Sequence, residues 1–231
     1  LATMWAGLPH REVKPRRSMN PIEVPDVVVL RLPMYVRVLT QLAAEGAGVV
    51  SSQQLGSRLQ MTPVQIRKDL SYFGRFGKQG RGYSVQFLLR ELGQILGLDR
   101  RWRTCLVGMG RLGQAVVNYP GFAPEGFEIV AAFDSDPLLA GTTVGGVRVQ
   151  DTAELSQTIE GREIAIAIVA VPSSQAQSVV DQLIDCGVRG ILNYAPVALQ
   201  VPIGTVIRNI DPVLSLQSMT FYLMDDELRA G

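Results

Sequence analysis

The feature that most constrains the fold is the segment 104–113, whose sequence is TCLVGMGRLG. Its apolar first half predicts a β-strand, and the residues after it predict the start of a helix. Between them, Gly108, Gly110 and Gly113 have the G-x-G-x-x-G spacing. The first glycine would make the turn, the second would let the backbone approach a pyrophosphate, and the third would let helix and strand pack closely. A pyrophosphate there would lie at the positive end of the helix dipole.

A second predicted strand, 128–133, ends directly before Asp134. This aspartate lies about two dozen residues beyond the glycines, where a carboxylate of a dinucleotide-binding fold bonds the ribose hydroxyls. Between Gln114 and Val147 there is no Arg or Lys to receive a 2′-phosphate. Together these features predict a site for NADH/NAD⁺. A glycine turn beside an ordinary surface aspartate is the alternative.

Beyond the glycines, predicted strands alternate with predicted helices. Apolar segments at 164–171, 188–192 and 205–207 predict strands, and Ser173 begins a helix. This alternation predicts an α/β fold with a parallel, doubly wound sheet and its ligand at the carboxyl ends of the strands. Besides the glycines and Asp134, the candidate cofactor-binding residues are Met109, Arg111, Leu112, Val171, Pro172, Asn193, Ala195 and Pro196.

Charge is distributed unevenly along the 231 residues. Residues 1–103 hold sixteen of the 22 Lys and Arg residues and seven of the 21 Asp and Glu residues, a formal charge of +9. Residues 104–231 hold the remaining six and fourteen, a formal charge of −8. A basic half joined to an acidic half predicts that the first half binds a polyanion.

Residues 51–73 have the pattern of a helix-turn-helix. Ser51 would cap the first helix, and Thr62 and Pro63 would begin the second, with Gln65 at the capping-box position. The apolar face of the second helix would consist of Ile66, Leu70 and Phe73. Its opposite face would present the candidate DNA-binding residues Gln65, Lys68, Ser71 and Tyr72, with Arg67 on the flank. Polar, cationic and aromatic groups on a second helix are typical of a recognition helix in the major groove.

A glycine-rich segment, 74–83, follows the second helix and has the sequence GRFGKQGRGY. Its glycines and aromatic residues predict a β-hairpin, the wing of a winged helix. Lys78 and Arg81 near the tip are candidate DNA-binding residues, because cations on a thin hairpin reach phosphates or a narrow minor groove. The alternative for each is a solvated surface charge.

These patterns divide the chain into four segments: a disordered basic tail over 1–24, a winged-helix domain over 25–99, a Rossmann domain over 100–211 and an apolar C-terminal helix over 212–231. No apolar run approaches the length of a membrane span and no signal peptide begins the chain, so no membrane partner is expected. The two cysteines are too few for a disulfide framework and fit a cytoplasmic protein. No metal site is predicted.

Several motifs together resemble one family, the Rex redox-sensing transcriptional repressors. The resemblance covers residues 25–224, and its most specific stretch is QIRKDLSYFG at 65–74. The other matching motifs are RLPMYVR at 31–37, the glycine turn at 108–113, YPGF at 119–122, NYAP at 193–196 and NID at 209–211.

The resemblance implies a winged helix joined to a Rossmann domain, in a homodimer whose C-terminal helix is swapped into the partner. It implies a redox-sensing repressor that binds palindromic, A·T-rich, double-stranded operator DNA when free or bound to NAD⁺, and leaves it when NADH binds. It also implies that Arg37, Tyr119 and Asp211 form a redox-dependent contact network between domains and subunits. The chain departs from the family at Pro212, where a bulky apolar residue near the nicotinamide is usual.

Two other functions fit part of the chain. An NAD-dependent dehydrogenase needs a proton donor near the nicotinamide, normally His, Lys or Tyr, and residues 104–231 contain no His and no Lys. Tyr119, Tyr194 and Tyr222 remain there, and an acidic helix cap or a water could also serve. A CoA-binding Rossmann module, as in acyl-CoA ligase subunits, would leave the basic winged helix without a role. We therefore predict a repressor and not an enzyme.

Overall fold

The computed structural model describes residues 24–78 and 82–230, except for the side chains at 78 and 225–230. The chain divides into two compact units between Arg100 and Arg101. Of the predicted tail over 1–24, only Val24 lies within the described residues, and Arg81 lies outside them.

The N-terminal unit is a winged helix. Its described residues form the helices α1 (Asp26–Ala44), α2 (Ser52–Leu59), α3 (Pro63–Ser71) and α4 (Val85–Leu96). A small antiparallel sheet of order β1-β3-β2 consists of β1 (Val49–Val50), β2 (Gly77–Lys78) and β3 (Gly82–Ser84). The predicted helix-turn-helix is therefore α2 with α3, and the predicted wing is β2 with β3.

Capping fixes where both helices of the helix-turn-helix begin. The Ser51 hydroxyl accepts a hydrogen bond from the Gln54 amide at 3.1 Å, and the Gln54 side chain accepts one from the Ser51 amide at 2.8 Å. The Thr62 hydroxyl accepts a hydrogen bond from the Gln65 amide at 3.2 Å, and Pro63 is the first helical residue. Both predicted starts are confirmed, and the complete capping box is the one at Ser51.

Helix α1 supplies the centre of this unit's core. Leu32, Tyr35 and Leu39 lie on its inner face, are fully buried and pack against residues of α2, α3 and α4. By length and composition alone, α1 would also suit a membrane span. Because its buried face contacts the other helices of the unit, its apolar character is that of a core helix.

A buried carboxylate ties α3 to α1. Asp69 is 2% exposed and accepts hydrogen bonds from Nε and Nη2 of Arg31, both at 2.7 Å, and from the Tyr35 hydroxyl at 2.9 Å. This bidentate geometry fixes the orientation of α3 about its own axis, with Ile66 and Leu70 turned into the core. The hydrogen bond to Asp69 raises the pKa of Arg31, and burial raises the pKa of Tyr35, so both donors keep their protons.

The C-terminal unit is a Rossmann fold, which confirms the predicted fold class. Its described strands are β4 (Trp102–Val107), β5 (Phe127–Asp134), β6 (Thr143–Val144), β7 (Val147–Asp151), β8 (Ile166–Val169), β9 (Gly190–Asn193) and β10 (Val206–Asn209). Their order in the sheet is β10-β9-β8-β4-β5-β7-β6. Strands β5 to β7 therefore lie on one side of β4, and the later strands β8 to β10 lie on its other side. The carboxyl ends of β4 and β8 mark the switch point at which ligands bind in such folds.

The described helices between these strands are α5 (Arg111–Val117), α6 (Leu155–Arg162) and α7 (Ser173–Asp185), and α8 (Pro212–Ala230) follows the last strand. The central strands are buried on both faces, since Cys105 and Val107 of β4 belong to one hydrophobic cluster and Leu106 belongs to another. Two-sided burial is typical of a parallel strand between helical layers. Cys105 is fully buried in this core, and burial raises the pKa of its thiol to about 12.

One strand departs from the predicted parallel sheet. β6 pairs antiparallel with β7 through a turn at Gly145 and Gly146, whose φ angles are +58° and +79°. Both glycines take the left-handed conformation that a two-residue hairpin turn of type I′ requires. Because β6 has only two residues, it is too short for an alternating pattern to predict, and it makes the sheet mixed at one edge.

Helix α8 is apolar and uncovered. Among its described side chains, eight large apolar ones are between 55% and 70% exposed: Val213, Leu214, Leu216, Met219, Phe221, Tyr222, Leu223 and Met224. Pro212 occupies its first position, where proline's fixed φ suits a helix and no amide is lost. The swap of this helix into a partner subunit stays a prediction.

Asp69→Ala should destabilise the protein by about 3 kcal/mol or more, because it leaves the Arg31 guanidinium partly buried without its partner. Urea unfolding followed by circular dichroism measures this loss. Glu45→Ala is the matched control, since it breaks the exposed pair in which Glu45 and Arg58 meet at 2.7 Å and should cost much less. Equal losses from the two variants would contradict an anchoring role for Asp69.

Candidate functional site

The glycine turn between β4 and α5 is built by close backbone contacts. Gly108 has a φ of +98°, and a Cβ there would lie 2.5 Å from the carbonyl oxygen of Ala170. A Cβ at Gly113 would overlap the carbonyl oxygen of Gly108. Both glycines are therefore required by the protein's own packing, in the roles that their spacing predicts.

Gly110 is different, because the fold does not require it. Its φ of −63° is open to any residue, and a Cβ there would meet no atom within 4 Å. Gly110 caps α5 without a side-chain hydrogen bond. A side chain at this position would enter the space above the turn, where the pyrophosphate lies in dinucleotide-binding folds. The missing side chain keeps that space open for a ligand.

The Asp134 carboxylate ties the end of β5 to the glycine turn. Its Oδ2 accepts a hydrogen bond from the Met109 amide at 2.5 Å, and its Oδ1 accepts one from the Asp136 amide at 2.8 Å. The side chain is half-buried at the carboxyl end of the sheet. Asp134 therefore holds the turn in place as well as standing where a ribose is predicted to bind.

The remaining cofactor candidates differ in what they offer. Val171 lies beside the turn, since its Cγ1 would be 2.9 Å from a Cβ at Gly108. The Met109 side chain is fully buried and leaves only its backbone at the turn. The more exposed candidates are Arg111, Leu112, Pro172 and Pro196.

Asn193 organises the loop that carries Ala195 and Pro196. It is 1% exposed, and its amide nitrogen donates to the Ala195 carbonyl and to Oδ1 of Asn209, both at 2.9 Å. Its Oδ1 accepts a hydrogen bond from the Ala195 amide at 2.9 Å. The Asn193 side chain is thus occupied within the protein, so its expected contribution to a cofactor site is to position this loop.

A residue that the sequence pattern did not single out holds the same loop farther along. The Gln177 side chain donates to the Gln200 carbonyl and accepts from the Gln200 amide, both at 3.0 Å. This pairing of a side-chain amide with a backbone amide fixes the segment after Pro196 against α7. No local motif predicts such a contact, because its two residues are 23 positions apart.

The outer face of α3 presents the predicted DNA-binding residues. Gln65, Lys68 and Ser71 are exposed, and Tyr72 is half-buried at the helix end. Arg67 donates a hydrogen bond to the Ser52 hydroxyl at 3.0 Å, which links α3 to the start of α2. The anchored inner face and the polar outer face of α3 are the features that a recognition helix needs. The side chains of Lys78 and Arg81 lie outside the described part of the wing.

The three predicted switch residues lie at exposed or half-buried positions. Arg37 is exposed on α1, and Tyr119, in the loop after α5, is 59% exposed. Asp211 is half-buried, and its Oδ1 accepts a hydrogen bond from the Val213 amide at 2.9 Å, which caps α8. Among the described residues, no cluster of His, Cys, Asp and Glu side chains is arranged to hold a metal ion.

Two family models match the chain, one in each unit. The model described as a putative DNA-binding protein N-terminus matches residues 23–71, and the model described as a CoA binding domain matches residues 99–197. The redox-sensing transcriptional repressor Rex of Chloroflexus aurantiacus is 54% identical over 203 residues, which cover 88% of this chain and 96% of that protein. The Rex of Thermus thermophilus is 45% identical over 208 residues, 90% of this chain and 98% of that protein.

Solved structures agree with these relatives. The crystal structure of RSP in complex with β-NAD⁺ and operator DNA has a TM-score of 0.84 and 37% identity, and it covers 90% of this chain and 95% of that one. The structure of RSP in complex with β-NADH has a TM-score of 0.79 and 35% identity, covering 88% and 96%. RSP is itself a Rex-family repressor. Identity of this level across both units shows that the chain belongs to the Rex family of redox-sensing transcriptional repressors.

Proposed function

We propose that this chain is a redox-sensing transcriptional repressor, which binds operator DNA through α3 and the wing and releases it when NADH binds at the glycine turn. One observation carries the proposal. A single chain combines a recognition helix anchored on its inner face by Asp69 with a Rossmann turn whose Gly110 leaves room for a ligand. The relative RSP, crystallised with operator DNA and NAD⁺ and separately with NADH, supports both partners.

The cofactor site consists of the glycine turn, Asp134 and the strand ends beside them. Gly108 and Gly113 shape the turn, Gly110 lets the backbone approach the pyrophosphate, and Asp134 accepts hydrogen bonds from the ribose hydroxyls. The backbone around Met109, the exposed Arg111 and Leu112, and the residues Val171, Pro172, Asn193, Ala195 and Pro196 complete the site. A second acidic residue, Asp136, follows Asp134 and would repel a 2′-phosphate, which supports NAD(H) over its phosphorylated form.

The DNA contacts come from α3 and the wing. Gln65, Lys68, Ser71 and Tyr72 face the major groove, with Arg67 beside them. Lys78 and Arg81 on the wing contact phosphates or the minor groove. The formal charge of +9 over residues 1–103 supplies the electrostatic attraction that phosphate binding needs.

The functional unit is a homodimer in which α8 is swapped into the partner. The exposed apolar side chains of α8 support this, since a soluble monomer rarely leaves a contiguous apolar surface uncovered. A two-fold dimer also fits a palindromic operator, because each half-site then receives one recognition helix. We place this repressor in the cytoplasm, where operator DNA and the NADH pool meet.

A dehydrogenase is not favoured as the function. The full-length relatives that span both units are named repressors, and residues 104–231 contain no His and no Lys to donate a proton. Mobility shifts of a palindromic operator, titrated with NADH and with NAD⁺ separately, test the proposed function. Release by NADH at concentrations where NAD⁺ leaves the complex intact is the expected result. Equal responses to both nucleotides would contradict it.

Gly110→Val should abolish NADH binding while leaving a folded protein, because the valine side chain would fill space that only a ligand needs. Asp134→Ala should weaken NADH binding by about 1.5–3 kcal/mol, the value of a charge-assisted hydrogen bond. Isothermal calorimetry measures both changes. Gly48→Val is the matched control, since a Cβ there also meets no atom within 4 Å but lies in the winged helix. Wild-type NADH affinity in both test variants would remove this site from consideration.

Lys68→Ala should reduce both affinity and sequence discrimination, by roughly 1–3 kcal/mol, because Lys68 faces the bases of the major groove. Lys78→Ala should weaken specific and random DNA alike and reduce the salt slope by about 1, because it removes a phosphate contact. Fluorescence anisotropy over a salt series separates the two. Arg90→Ala on α4 is the control for loss of one positive charge. If Lys68→Ala and Lys78→Ala both keep wild-type binding, α3 and the wing are not the DNA-binding surface.

Asp211→Ala should retain NADH binding but lose most of the NADH effect on operator affinity, because Asp211 belongs to the contact that distinguishes the two states. By linkage, operator DNA weakens NADH binding by the same factor as NADH weakens operator binding. Calorimetry with and without saturating operator measures this factor. Asp211→Asn separates the two roles, since asparagine still caps α8 but lacks the charge. Full NADH sensitivity in Asp211→Asn would limit Asp211 to capping.

A further inference from the structure

Gly121 lies in the loop after α5, and its backbone conformation does not require a glycine. Its φ is not in the left-handed region, so its conformation is open to any residue. A Cβ at this position would overlap Cε1 of the Tyr119 ring and would lie 2.6 Å from Cζ and 2.7 Å from the hydroxyl oxygen. The ring of Tyr119 therefore lies across the space that a side chain at 121 would fill.

Phe122 holds the same ring from a second side. The two ring centroids are 5.2 Å apart and the planes are inclined by 77°, an edge-to-face contact. Phe122 packs against the core cluster that includes Leu106 and Val116, and its carbonyl accepts a hydrogen bond from the Phe127 amide at 3.1 Å. Phe122 is therefore held in place and limits the movement of the Tyr119 ring on that side. Tyr119 is placed by these contacts although it remains 59% exposed.

The backbone connects this ring to the glycine turn. The Tyr119 amide donates to the Val116 carbonyl at 3.1 Å, at the end of α5. Helix α5 has seven residues and is capped by Gly110. Pro120 follows Tyr119 and keeps it out of the helical conformation, so the chain turns sharply at the ring. The ring is therefore attached to one end of the helix whose other end is the turn.

We propose that Gly121 is a positioning residue for Tyr119, and that its missing side chain selects the ring conformer which the switch network uses. This inference rests on the proposed function, together with the expectation from the family resemblance that Tyr119 belongs to the switch network. A side chain at 121 would drive the ring to another rotamer, and the exposed ring has room to make that move. The ring would then leave the position that the predicted network uses. The response to NADH would weaken, because it depends on the difference in NADH affinity between the two states.

The experiment compares Gly121→Ala, Tyr119→Ala and the double variant with the wild-type dimer. Calorimetry gives the NADH dissociation constant with and without saturating operator, and their ratio is the coupling factor. We expect Gly121→Ala to lower this factor by about three-fold or more, to the value in Tyr119→Ala, with no further reduction in the double variant. Gly161→Ala is the matched control, since a Cβ in that part of α6 meets no atom within 4 Å and coupling should be unchanged.

A second measurement tests the ring position without any ligand. The α-protons of Gly121 should show ring-current shifts in NMR spectra that disappear in Tyr119→Ala. Wild-type coupling in Gly121→Ala, or reductions that add in the double variant, would overturn the positioning role and leave the proposed function intact. No coupling in the wild-type protein, with the ring-current shifts present, would overturn the redox switch itself and with it any role for the ring.

Discussion

Direct contact between the backbones of Gly108 and Gly113 is the constraint on which the nucleotide-binding unit depends. Because neither residue has a Cβ, α5 packs directly on the end of β4, and Gly108 also approaches the Ala170 carbonyl that follows β8. Three elements therefore converge at the switch point of the sheet, which is lined by backbone. Asp134 adds β5 to this arrangement by accepting a hydrogen bond from the Met109 amide. The protein's own packing demands two glycines of the motif, whereas a Cβ at Gly110 would meet no atom within 4 Å, which supports the proposed ligand site there.

The two units are organised in the same way, each around one anchoring carboxylate. Each places a carboxylate behind the element that is proposed to bind DNA or the cofactor, so that this element is held from the inside and its outer groups remain available. In the winged helix, Asp69 receives Arg31 and Tyr35 and fixes the recognition helix α3. In the Rossmann unit, Asp134 receives a backbone amide and fixes the glycine turn. Preorganisation of this kind lowers the entropic cost of binding, because the contacting groups need no further ordering.

Local patterns predicted the parts of the structure that depend on local geometry. Capping residues and apolar spacing predicted both helices of the helix-turn-helix, and glycine spacing predicted the turn at Gly108. Helix α1 accommodates Pro33 in its interior, a position where proline usually interrupts a helical pattern. The anchor of α3 was missed because Asp69 and Arg31 are 38 positions apart, and hydrogen bonds over such separations leave no periodic signal. Asn193 stays a predicted cofactor residue, and its side-chain hydrogen bonds to Ala195 and to the distant Asn209 show how it positions the loop, which no motif reveals.

The energies of these contacts separate the groups that hold the fold from those that are able to switch. Allosteric coupling between two ligands is typically worth about 1–3 kcal/mol, whereas breaking a buried ion pair costs about 3–5 kcal/mol. The Arg31–Asp69 pair is therefore too costly to open in each cycle of operator release. Arg37 lies six residues farther along α1 and is exposed. An ion pair at an exposed position forms and breaks at a modest cost in free energy. The same helix thus carries one arginine that fixes α3 and another whose exposure suits the predicted switch contact.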